Sequence, residues 1–401
     1  MLSPNLLLTG CRPAEAVPDG WDFDEVLDRS GTWSIKWGRA EEGQIPMWIA
    51  DMDFRTDPAV RKALRERLDR DVMGYTSTPE AFYAAIRDWV AKQHGYAVEP
   101  EWIGYAPGVI TSIAQALLVF TEPGDKVIVQ PPVYDHFRLY AERLGREVVD
   151  NPMIFADGSY RMDFDGLERL IDRRTKALIL CNPHNPCGIL WDRETLVRLT
   201  EICERRGVLV LSDEIHADLA LWGRTHIPFC SVSDAARRIG LIFSGPTKAF
   251  NLAGLSGTAY CIIPDEEKRT RYLGALRNAK LDEPSIPTLV ATIAAYQSES
   301  GWLPALKQYL QGNVDLVMDY FGERIPDITP IRPQASFLVW LDARRLGIPQ
   351  EELMARFRDR AGLVLSNGAS YGAGGEGFVR MNVGCPRSVL REALERIRTR
   401  F

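Results

Sequence analysis

The sequence predicts an α/β protein that has a mainly parallel central sheet in a large domain, followed by a smaller α+β domain. Between about residues 100 and 265, short continuous apolar runs alternate with helical segments, which is the pattern of a sheet covered by helices on both faces. After Pro264 the order changes to long helices, three late apolar runs and a final helix. The 401 residues suffice for two or three structural units with a large buried core.

Composition is that of an ordinary globular protein and excludes several functional classes. Apolar residues make up 46% and charged residues 25% of the sequence, and a net charge of −6 provides no basic surface for nucleic acid. The seven cysteines lack C-x-x-C spacing, which indicates a reducing compartment without a disulfide framework or structural zinc. No apolar run approaches the roughly 18 residues of a membrane span, and the N-terminus lacks the features of a secretion signal. We therefore expect a cytoplasmic protein that binds neither nucleic acid nor a membrane.

The predicted elements begin with an irregular arm over residues 1–45, which contains three tryptophans. Because exposed tryptophans are costly, we expect this arm to pack on the small domain or on a partner subunit. At Asp57-Pro58 and Thr78-Pro79 a capping residue precedes a proline, which predicts helices to about residue 70 and over 79–94. The next elements are helix 109–121 after Gly108, strand 126–130, helix 134–144, strand 177–181, helix 192–206 and strands 208–212, 241–244 and 258–263.

The C-terminal part of the chain is predicted to contain helix 265–279, a long helical region over 287–322, strands 337–341, 363–365 and 378–383, and helix 387–400. These elements give a large domain over residues 46–284 and a small α+β domain over 285–401. The glycine-rich run 372–377 matches the G-x-G-x-x-G pattern of dinucleotide-binding proteins. That pattern requires a strand before it and a helix after it, whereas a strand follows here, so we expect a flexible loop.

Three polar motifs come directly after predicted strands, at residues 131–134, 182–188 and 212–216. Parallel sheets bind ligands at this edge. Each motif also has an ordinary explanation, since Tyr134 can be a core residue, the Asn-Pro pairs can form rigid turns and Asp213 can cap a turn. The functional interpretation is that Tyr134 covers a flat ring, an asparagine contacts a ligand oxygen, and Asp213 pairs with a cation such as a protonated pyridine nitrogen.

The segment 244–255 contains a single lysine, Lys248, between small and apolar residues. Apolar surroundings favour the neutral amine, which can form a Schiff base with an aldehyde. An isolated lysine in a loop is usually just solvated, so this motif is weak by itself. The order of the motifs is more specific, because the Gly108 loop, the three polar motifs and Lys248 are followed by an arginine in a late strand.

In this order the sequence resembles the fold-type I pyridoxal-phosphate (PLP) enzymes of the class I/II aminotransferase group. More narrowly, it is similar to their MalY/PatB branch of cystathionine β-lyases, which are cysteine C–S lyases. The motifs that carry the resemblance span nearly the whole chain and are residues 46–54, 182–188, 212–216, 247–255 and 378–387. The resemblance implies the aspartate aminotransferase-like fold of PLP transferases, pyridoxal 5′-phosphate as cofactor, an amino-acid substrate, and a homodimer with active sites at its interface.

The resemblance also implies roles for single residues. Lys248 would form the Schiff base and shuttle a proton, Asp213 would pair with the pyridine nitrogen, and Tyr134 would stack on the ring as a catalytic residue. Further cofactor contacts would come from Val109 and Ile110 through their backbone N–H groups, from Asn182, Asn185, His216 and Thr247, and from Tyr75 of the partner subunit. Substrate contacts would come from Arg380, which grips the carboxylate, and from Ala50 and Asp51.

Four positions depart from the family pattern. Ser256 stands where transaminases commonly have a phosphate-binding arginine, and Gly245 stands where they often have a serine. Cys187 replaces a threonine of the Asn-Pro motif, and Thr247 replaces the serine that is usual in this branch. The first two departures leave the phosphate charge to amides, hydroxyls and a helix dipole.

Three functions stay open from the sequence. A C–S β-lyase would expel a thiolate from Cβ and release pyruvate and ammonia, without a metal ion. A class I/II aminotransferase would share the steps to the Cα carbanion and then reprotonate the cofactor. A regulatory or partner-binding protein that retains the fold is disfavoured by the intact Lys248, Asp213, Asn185 and Arg380. Only the branch resemblance separates the first two functions, and it favours the lyase.

Overall fold

The structure is a computed structural model that describes residues 21–70 and 72–401. The first twenty residues of the predicted arm lie outside the described residues. The helices of the described part are α1 (Ile35–Gly38), α2 (Pro58–Leu68), α3 (Glu80–His94), α4 (Val109–Phe120), α5 (His136–Arg143), α6 (Phe164–Leu170), α7 (Arg193–Arg206), α8 (Asp234–Ile239), α9 (Glu266–Asn278), α10 (Ile286–Tyr296), α11 (Trp302–Arg324), α12 (Gln350–Ala355) and α13 (Arg387–Arg400). The strands are β1 (Ile45–Pro46), β2 (Ile103–Ala106), β3 (Lys126–Val129), β4 (Glu147–Asp150), β5 (Ile154–Ala156), β6 (Ser159–Arg161), β7 (Thr175–Cys181), β8 (Leu209–Asp213), β9 (Gly240–Ser244), β10 (Ala259–Ile262), β11 (Thr329–Ile331), β12 (Leu338–Asp342), β13 (Leu363–Val364), β14 (Ser366–Asn367) and β15 (Phe378–Asn382).

The central sheet has seven strands in the order β2-β10-β9-β8-β7-β3-β4. Only β10 is reversed, since it pairs antiparallel with both β2 and β9 while the other pairs are parallel. Successive side chains of a strand enter opposite cores: Ile179 packs in the core with α4, α5 and α9, whereas Leu178 and Leu180 pack in the core with α3, α7 and α8. The predicted mainly parallel sheet with helices on both faces is confirmed.

The C-terminal part contains a second, antiparallel sheet in the order β11-β12-β15-β14. Helices α11, α12 and α13 contribute apolar residues to its core, which makes the smaller α+β unit that the sequence predicts. The short strand β1 pairs in parallel with β13, and Asp53 N donates to Gly384 O over 2.8 Å. Residues 45–53 are therefore bound to the C-terminal unit.

The predicted long helical region over 287–322 consists of two helices, α10 and α11. They are separated at Gly301, which has a left-handed backbone with φ of 79°. The hydroxyls of Ser298 and Ser300 in this break donate to Asp57 Oδ2 over 2.6 and 2.9 Å. Asp57 also caps α2 by accepting from Ala59 N, so one carboxylate fixes the ends of three helices.

Several short elements were not predicted, namely α1, α6, α8, α12, β1, β2, β4, β11, β14 and the hairpin of β5 and β6. The arm is therefore not wholly irregular, because Ser34 caps the one-turn helix α1. The glycine run 372–377 forms the expected loop before β15. None of the described helices is long and apolar enough to cross a membrane.

Candidate active site

The carboxyl ends of β7, β8 and β9 bring the predicted polar motifs together. Asp213 is the last residue of β8, and Asn182 N donates to its carbonyl over 2.9 Å. The next residue, Glu214, donates from its backbone N to Phe243 O of β9 over 2.8 Å. The chain leaves β9 at Ser244 and enters the turn that carries Lys248. Strand register alone thus places these motifs side by side.

The Lys248 amine lies in the half-buried turn after β9. Its Nζ donates to the carbonyl oxygen of Ala50 over 2.6 Å. Burial and the positive charge of Arg380 lower the pKa of Lys248 to about 8, although the carboxylates of Asp51 and Asp213 act in the opposite direction. The neutral amine is therefore accessible near physiological pH, as a nucleophile for an aldehyde requires.

The Asp213 carboxylate is buried, with 5% of the residue exposed. Its one hydrogen bond within the described part of the chain comes from Ile215 N, over 3.1 Å. Burial raises the pKa of Asp213 to about 7, Ile215 N and the charge of Lys248 oppose this rise, and Glu214 adds to it. A buried carboxylate with so few hydrogen bonds is stabilised when a cation lies against it. A protonated pyridine nitrogen would be such a cation.

Arg380 projects from β15 and is 4% exposed. Its Nη1 donates to Asn185 Oδ1 over 2.9 Å, and its Nη2 donates to Trp48 O over 2.7 Å and to Ser366 Oγ over 3.2 Å. All three acceptors are neutral, and no carboxylate within 21–70 and 72–401 forms an ion pair with this guanidinium. The charge is therefore available to a substrate carboxylate, and Asn185 links the arginine to the Asn-Pro loop.

His216 and Asn182 are buried beside these groups. Burial and the charges of Lys248 and Arg380 hold the pKa of His216 well below its usual value, so the ring is neutral, and its Nδ1 has no partner in the described part. The amide of Asn182 donates from Nδ2 to Ile227 O over 3.0 Å, while its Oδ1 has no partner there. The structure thus turns the Asn182 donor toward the 227 loop.

The start of α4 has the features of an anion site. Gly108 precedes it with φ of 131°, and no side chain caps the helix. The N–H groups of Val109 and Ile110 therefore lack partners within the helix and point along the positive end of its dipole. The Thr247 hydroxyl is 2.8 Å from Thr258 O and 2.9 Å from Thr258 Oγ1, so its hydrogen is already used. The structure does not offer Thr247 as a donor to phosphate.

The structure shows the surroundings of two departures from the family pattern, Gly245 and Ser256. A Cβ at Gly245 would lie 2.3 Å from Thr258 O and 2.9 Å from the Ala259 Cα, so a serine cannot fit without moving β10. Ser256 is exposed, and its carbonyl accepts from Thr288 Oγ1 over 2.8 Å. The absence of a serine at 245 therefore follows from how tightly the turn packs against β10.

The two predicted tyrosines differ in position. Tyr134 is half-buried beside the site, its ring stacks on His136 with centroids 4.6 Å apart, and burial raises its pKa. Tyr75 is fully exposed and lines a surface cavity of about 370 Å³ with Arg67 and Arg70. Tyr75 therefore takes no part in the site of its own chain.

Two asparagines that the sequence reasoning missed hold the segment over Lys248. Asn251, at φ of 56°, donates to the carbonyls of Met52 and Phe54 and accepts from Met52 N, all over 2.9 Å. Asn382 donates to the carbonyls of Ile49 and Asp51 over 2.7 and 2.6 Å. Both lie inside motifs that carry the family resemblance, which was the available signal.

A buried lysine of the N-terminal arm was also missed. Lys36 is 1% exposed, and its Nζ lies 2.7 Å from Asp53 Oδ2, 3.2 Å from Asp51 O and 3.8 Å from Asp51 Oδ1. Burial raises the pKa of Asp51, and Lys36 opposes that rise. This ion pair anchors the arm to the segment that binds Lys248, and a single lysine in an irregular stretch gave no signal for it.

The residues present fit pyridoxal 5′-phosphate. A lysine with a lowered pKa, a buried carboxylate that lacks a cation and an uncapped helix N-terminus match the aldehyde, the ring nitrogen and the phosphate. The polar atoms Asn182 Oδ1, His216 Nδ1 and Arg380 Nε are buried without hydrogen-bond partners among the described residues. Such atoms are usually satisfied by a ligand or water.

The model of the aminotransferase class I and II family matches residues 42–397. The chain belongs to this family. It is 41% identical to cystathionine beta-lyase PatB of Bacillus subtilis over 94% of this chain and 99% of the relative, and 36% identical to protein MalY of Escherichia coli over 93% and 97%. Cystalysin of Treponema denticola, whose crystal structure contains a pyridoxal 5′-phosphate cofactor, aligns with a TM-score of 0.91 at 30% identity over 94% of this chain and 98% of that one. The family and the fold that the resemblance implied are confirmed.

For this aminotransferase-family protein, the lowered pKa of Lys248 predicts how cofactor uptake depends on pH. Only the neutral amine attacks an aldehyde, and its fraction rises until the pH passes about 8. We expect the rate at which cofactor-free protein takes up pyridoxal phosphate to rise about tenfold from pH 7 to pH 9 and then level off. Stopped-flow absorbance measures this rate.

A free lysine derivative, with an amine pKa of about 10.4, is the control and should react ever faster through pH 9. A rate for the protein that still rises beyond about pH 10, as it does for the free amine, would mean that the Lys248 amine is as solvated as the free one.

Proposed function

We propose that the protein is a pyridoxal 5′-phosphate-dependent C–S β-lyase of the cystathionine β-lyase type. It would cleave the Cβ–S bond of L-cystathionine or related S-substituted cysteines to a thiol, pyruvate and ammonia. The observation that carries this proposal is the grouping of Lys248, Asp213 and Arg380 at one edge of the sheet, in a chain 41% identical to a protein named cystathionine beta-lyase.

Each of these side chains has one task. When bound, pyridoxal phosphate supplies an electron sink for the carbanion at the substrate Cα. Arg380 binds the substrate carboxylate through its guanidinium, with Asn185 and Trp48 fixing the plane of that group. Lys248 takes the proton from Cα, and Asp213 keeps the ring nitrogen charged. A thiolate then leaves from Cβ without an acid catalyst, because thiols have a pKa of only about 8.5. Water hydrolyses the released aminoacrylate to pyruvate and ammonia.

Product analysis tests the lyase. Purified protein loaded with the cofactor is incubated with L-cystathionine in the absence of any 2-oxo acid, and pyruvate and free thiol are measured. Both should appear together with ammonia. A reaction that strictly requires an added 2-oxo acid would instead establish the alternative, a class I/II aminotransferase. A colourless protein that binds no cofactor would leave only the third alternative, a regulatory or partner-binding protein.

Replacing Arg380 with lysine tests how the substrate is held. Lysine keeps the charge but cannot make two parallel hydrogen bonds to a carboxylate. We expect kcat/KM for L-cystathionine to fall about 10- to 100-fold, mainly through KM, as the loss of charge-assisted bonds implies. Arg358→Lys is the matched control, since Arg358 is exposed and pairs with Asp359. An unchanged KM in Arg380→Lys would mean that another residue binds the carboxylate.

We further propose a cytoplasmic homodimer in which Tyr75 of the partner subunit reaches the phosphate. The full exposure of Tyr75, with Val72 and Met73 also exposed beside it, supports this proposal. The large domain would cover residues 46–284 and the small domain 285–401, with the arm 1–45 packing with the small domain or with the partner subunit.

Mixing inactive subunits tests the shared site. Dimers that combine one Tyr75→Ala chain with one Lys248→Ala chain contain one intact site if the tyrosine acts across the interface. Unfolding and refolding the two variants together should therefore restore about a quarter of the wild-type activity, because half of the dimers are mixed and each has one working site. No recovery, with dimers present by light scattering, would place Tyr75 outside the partner's site.

A further inference from the structure

Glu214 is a buried carboxylate that the proposed chemistry does not use. It follows Asp213 directly, and 2% of it is exposed. Its Oε1 accepts from Ser212 Oγ and from Phe229 N, and its Oε2 lies against His226 Nε2, all over 2.8 Å. Three hydrogen-bonding groups thus surround the Glu214 carboxylate.

The imidazole of His226 does not neutralise this charge. Burial lowers the pKa of His226, although Glu214 opposes that effect. The neutral ring therefore donates its Nε2 hydrogen to Glu214, and its Nδ1 has no partner in the part of the chain described. His94 packs against His226 at 5.2 Å between ring centroids and bonds Asp218 Oδ1 over 2.9 Å. The buried negative charge thus rests on neutral hydrogen bonds alone.

The other ionisable groups that face Glu214 do not compensate it either. Burial raises the pKa of the Tyr96, Cys230 and Tyr260 side chains, so these groups are uncharged at neutral pH. Arg237 of α8 acts on Tyr96 and Cys230, but it is partly exposed and pairs with Asp234 over 3.2 Å. Among residues 21–70 and 72–401, no lysine or arginine therefore forms an ion pair with Glu214.

The backbone of Glu214 joins the two strands that carry the site. Its N donates to Phe243 O over 2.8 Å, and its carbonyl accepts from Ser244 Oγ over 2.9 Å. The end of β8 is thereby fixed to the end of β9, four residues before Lys248. Two charged groups act on Asp213: Lys248 lowers its pKa and Glu214 raises it. The charge of Asp213 in turn raises the pKa of the Cys181 thiol.

We propose that Glu214 is a positioning residue of the cofactor site, which holds Asp213 opposite Lys248 and adds its own negative charge to the potential that keeps the ring nitrogen protonated. Glu214 acts through Asp213 and does not touch the ring. The inference rests on the proposed function for the identity of that ring, but its effect on Asp213 exists in cofactor-free protein too.

Glu214→Gln tests the proposal because it removes the charge and keeps the shape. The amide oxygen can accept from Ser212 and Phe229, and the amide N–H can donate to His226 Nε2 once that ring carries its hydrogen on Nδ1. In cofactor-free protein, ¹³C NMR of aspartate side chains, assigned with Asp213→Asn, should show the pKa of Asp213 fall by about one unit. In protein loaded with ¹⁵N-labelled pyridoxal phosphate, the ring nitrogen should lose its proton at a pH about one unit lower.

Asp218→Asn is the matched control. Asp218 is a carboxylate of the same buried cluster, bonded to Trp89 Nε1 and His94, but it does not adjoin Asp213. We expect both titrations in this variant to shift by about 0.3 units or less. Glu214→Ser provides a second way to remove the charge, since the vacated space admits water beside Phe229 N, should the glutamine variant not fold.

The outcomes separate the two proposals. If Asp213 titrates at the wild-type pH in the charge-removing variants, or shifts equally in Asp218→Asn, the role of Glu214 is overturned whether or not the protein is a lyase. If Asp213 shifts as expected but L-cystathionine yields no pyruvate, the electrostatic role stands and the proposed function fails.

Discussion

Lys248→Ala is expected to lose the yellow colour of bound cofactor and to lower kcat for L-cystathionine by about 10³-fold or more. The variant lacks both the amine that attaches the aldehyde and the base that takes the Cα proton. The alanine also leaves the carbonyl of Ala50 without the donor that it accepts from over 2.6 Å. Absorbance spectra and steady-state kinetics measure the two losses separately.

Chemical trapping identifies the attachment site in the wild-type protein. Borohydride treatment followed by proteolysis and mass spectrometry should place the cofactor on the peptide that contains Lys248. Lys280→Ala is the control, because Lys280 is exposed and pairs only with Glu283. A Lys248→Ala protein that keeps its colour and its rate would show that the reactive amine lies elsewhere, and the proposed chemistry would have to be abandoned.

Asp213→Asn has the second largest expected effect, a fall in kcat of about 10²- to 10³-fold, which is the cost of breaking a buried charge pair. The asparagine amide cannot hold the ring nitrogen in its protonated form, so the Cα carbanion loses its stabilisation. Steady-state kinetics with L-cystathionine measure the effect. Asp165→Asn, on the exposed surface of α6, should be indistinguishable from wild type.

The same substitution should stabilise the cofactor-free protein. The pKa of Asp213 is about 7 in the folded chain, against an ordinary value of 3.8 for an aspartate. Between pH 3.8 and pH 7 the folded chain therefore binds more protons at this residue than the unfolded chain does. Stability is then lost as pH rises from about 4 to about 7, and asparagine removes that loss. Thermal melts of the two cofactor-free proteins should coincide near pH 4 and separate by pH 7, with the variant higher. Melting temperatures that differ by the same amount at pH 4 and at pH 7 would contradict the high pKa of Asp213.

The grouping of the candidate site residues could be predicted from sequence because strand order decides where they lie. Asp213, Lys248 and the Asn-Pro loop follow adjacent parallel strands, so recognising the apolar runs and the family motifs was sufficient to group them. Arg380 was identified from its motif alone, since nothing in the run of apolar residues around it shows that β15 faces the large sheet.

Side-chain direction could not be predicted in the same way. Whether the Thr247 hydroxyl meets phosphate or Thr258 depends on how closely the turn approaches β10, which the absence of a Cβ at Gly245 permits. The break between α10 and α11 likewise depends on Asp57, some 240 positions earlier in the chain. Such contacts between distant residues leave no local pattern in the sequence.

The hydrogen bonds of Asn251 and Asn382 decide where the Ala50 carbonyl is held. Asn251 grips residues 52–54 from the turn after β9, and Asn382 grips residues 49–51 from the C-terminal sheet. Residues 49–54 are thus hydrogen-bonded on one side to the turn after β9 and on the other side to the C-terminal sheet, and the Ala50 carbonyl lies within this segment. These bonds fix the Ala50 carbonyl relative to both sheets, and so they also fix the position of the Lys248 amine that donates to it over 2.6 Å.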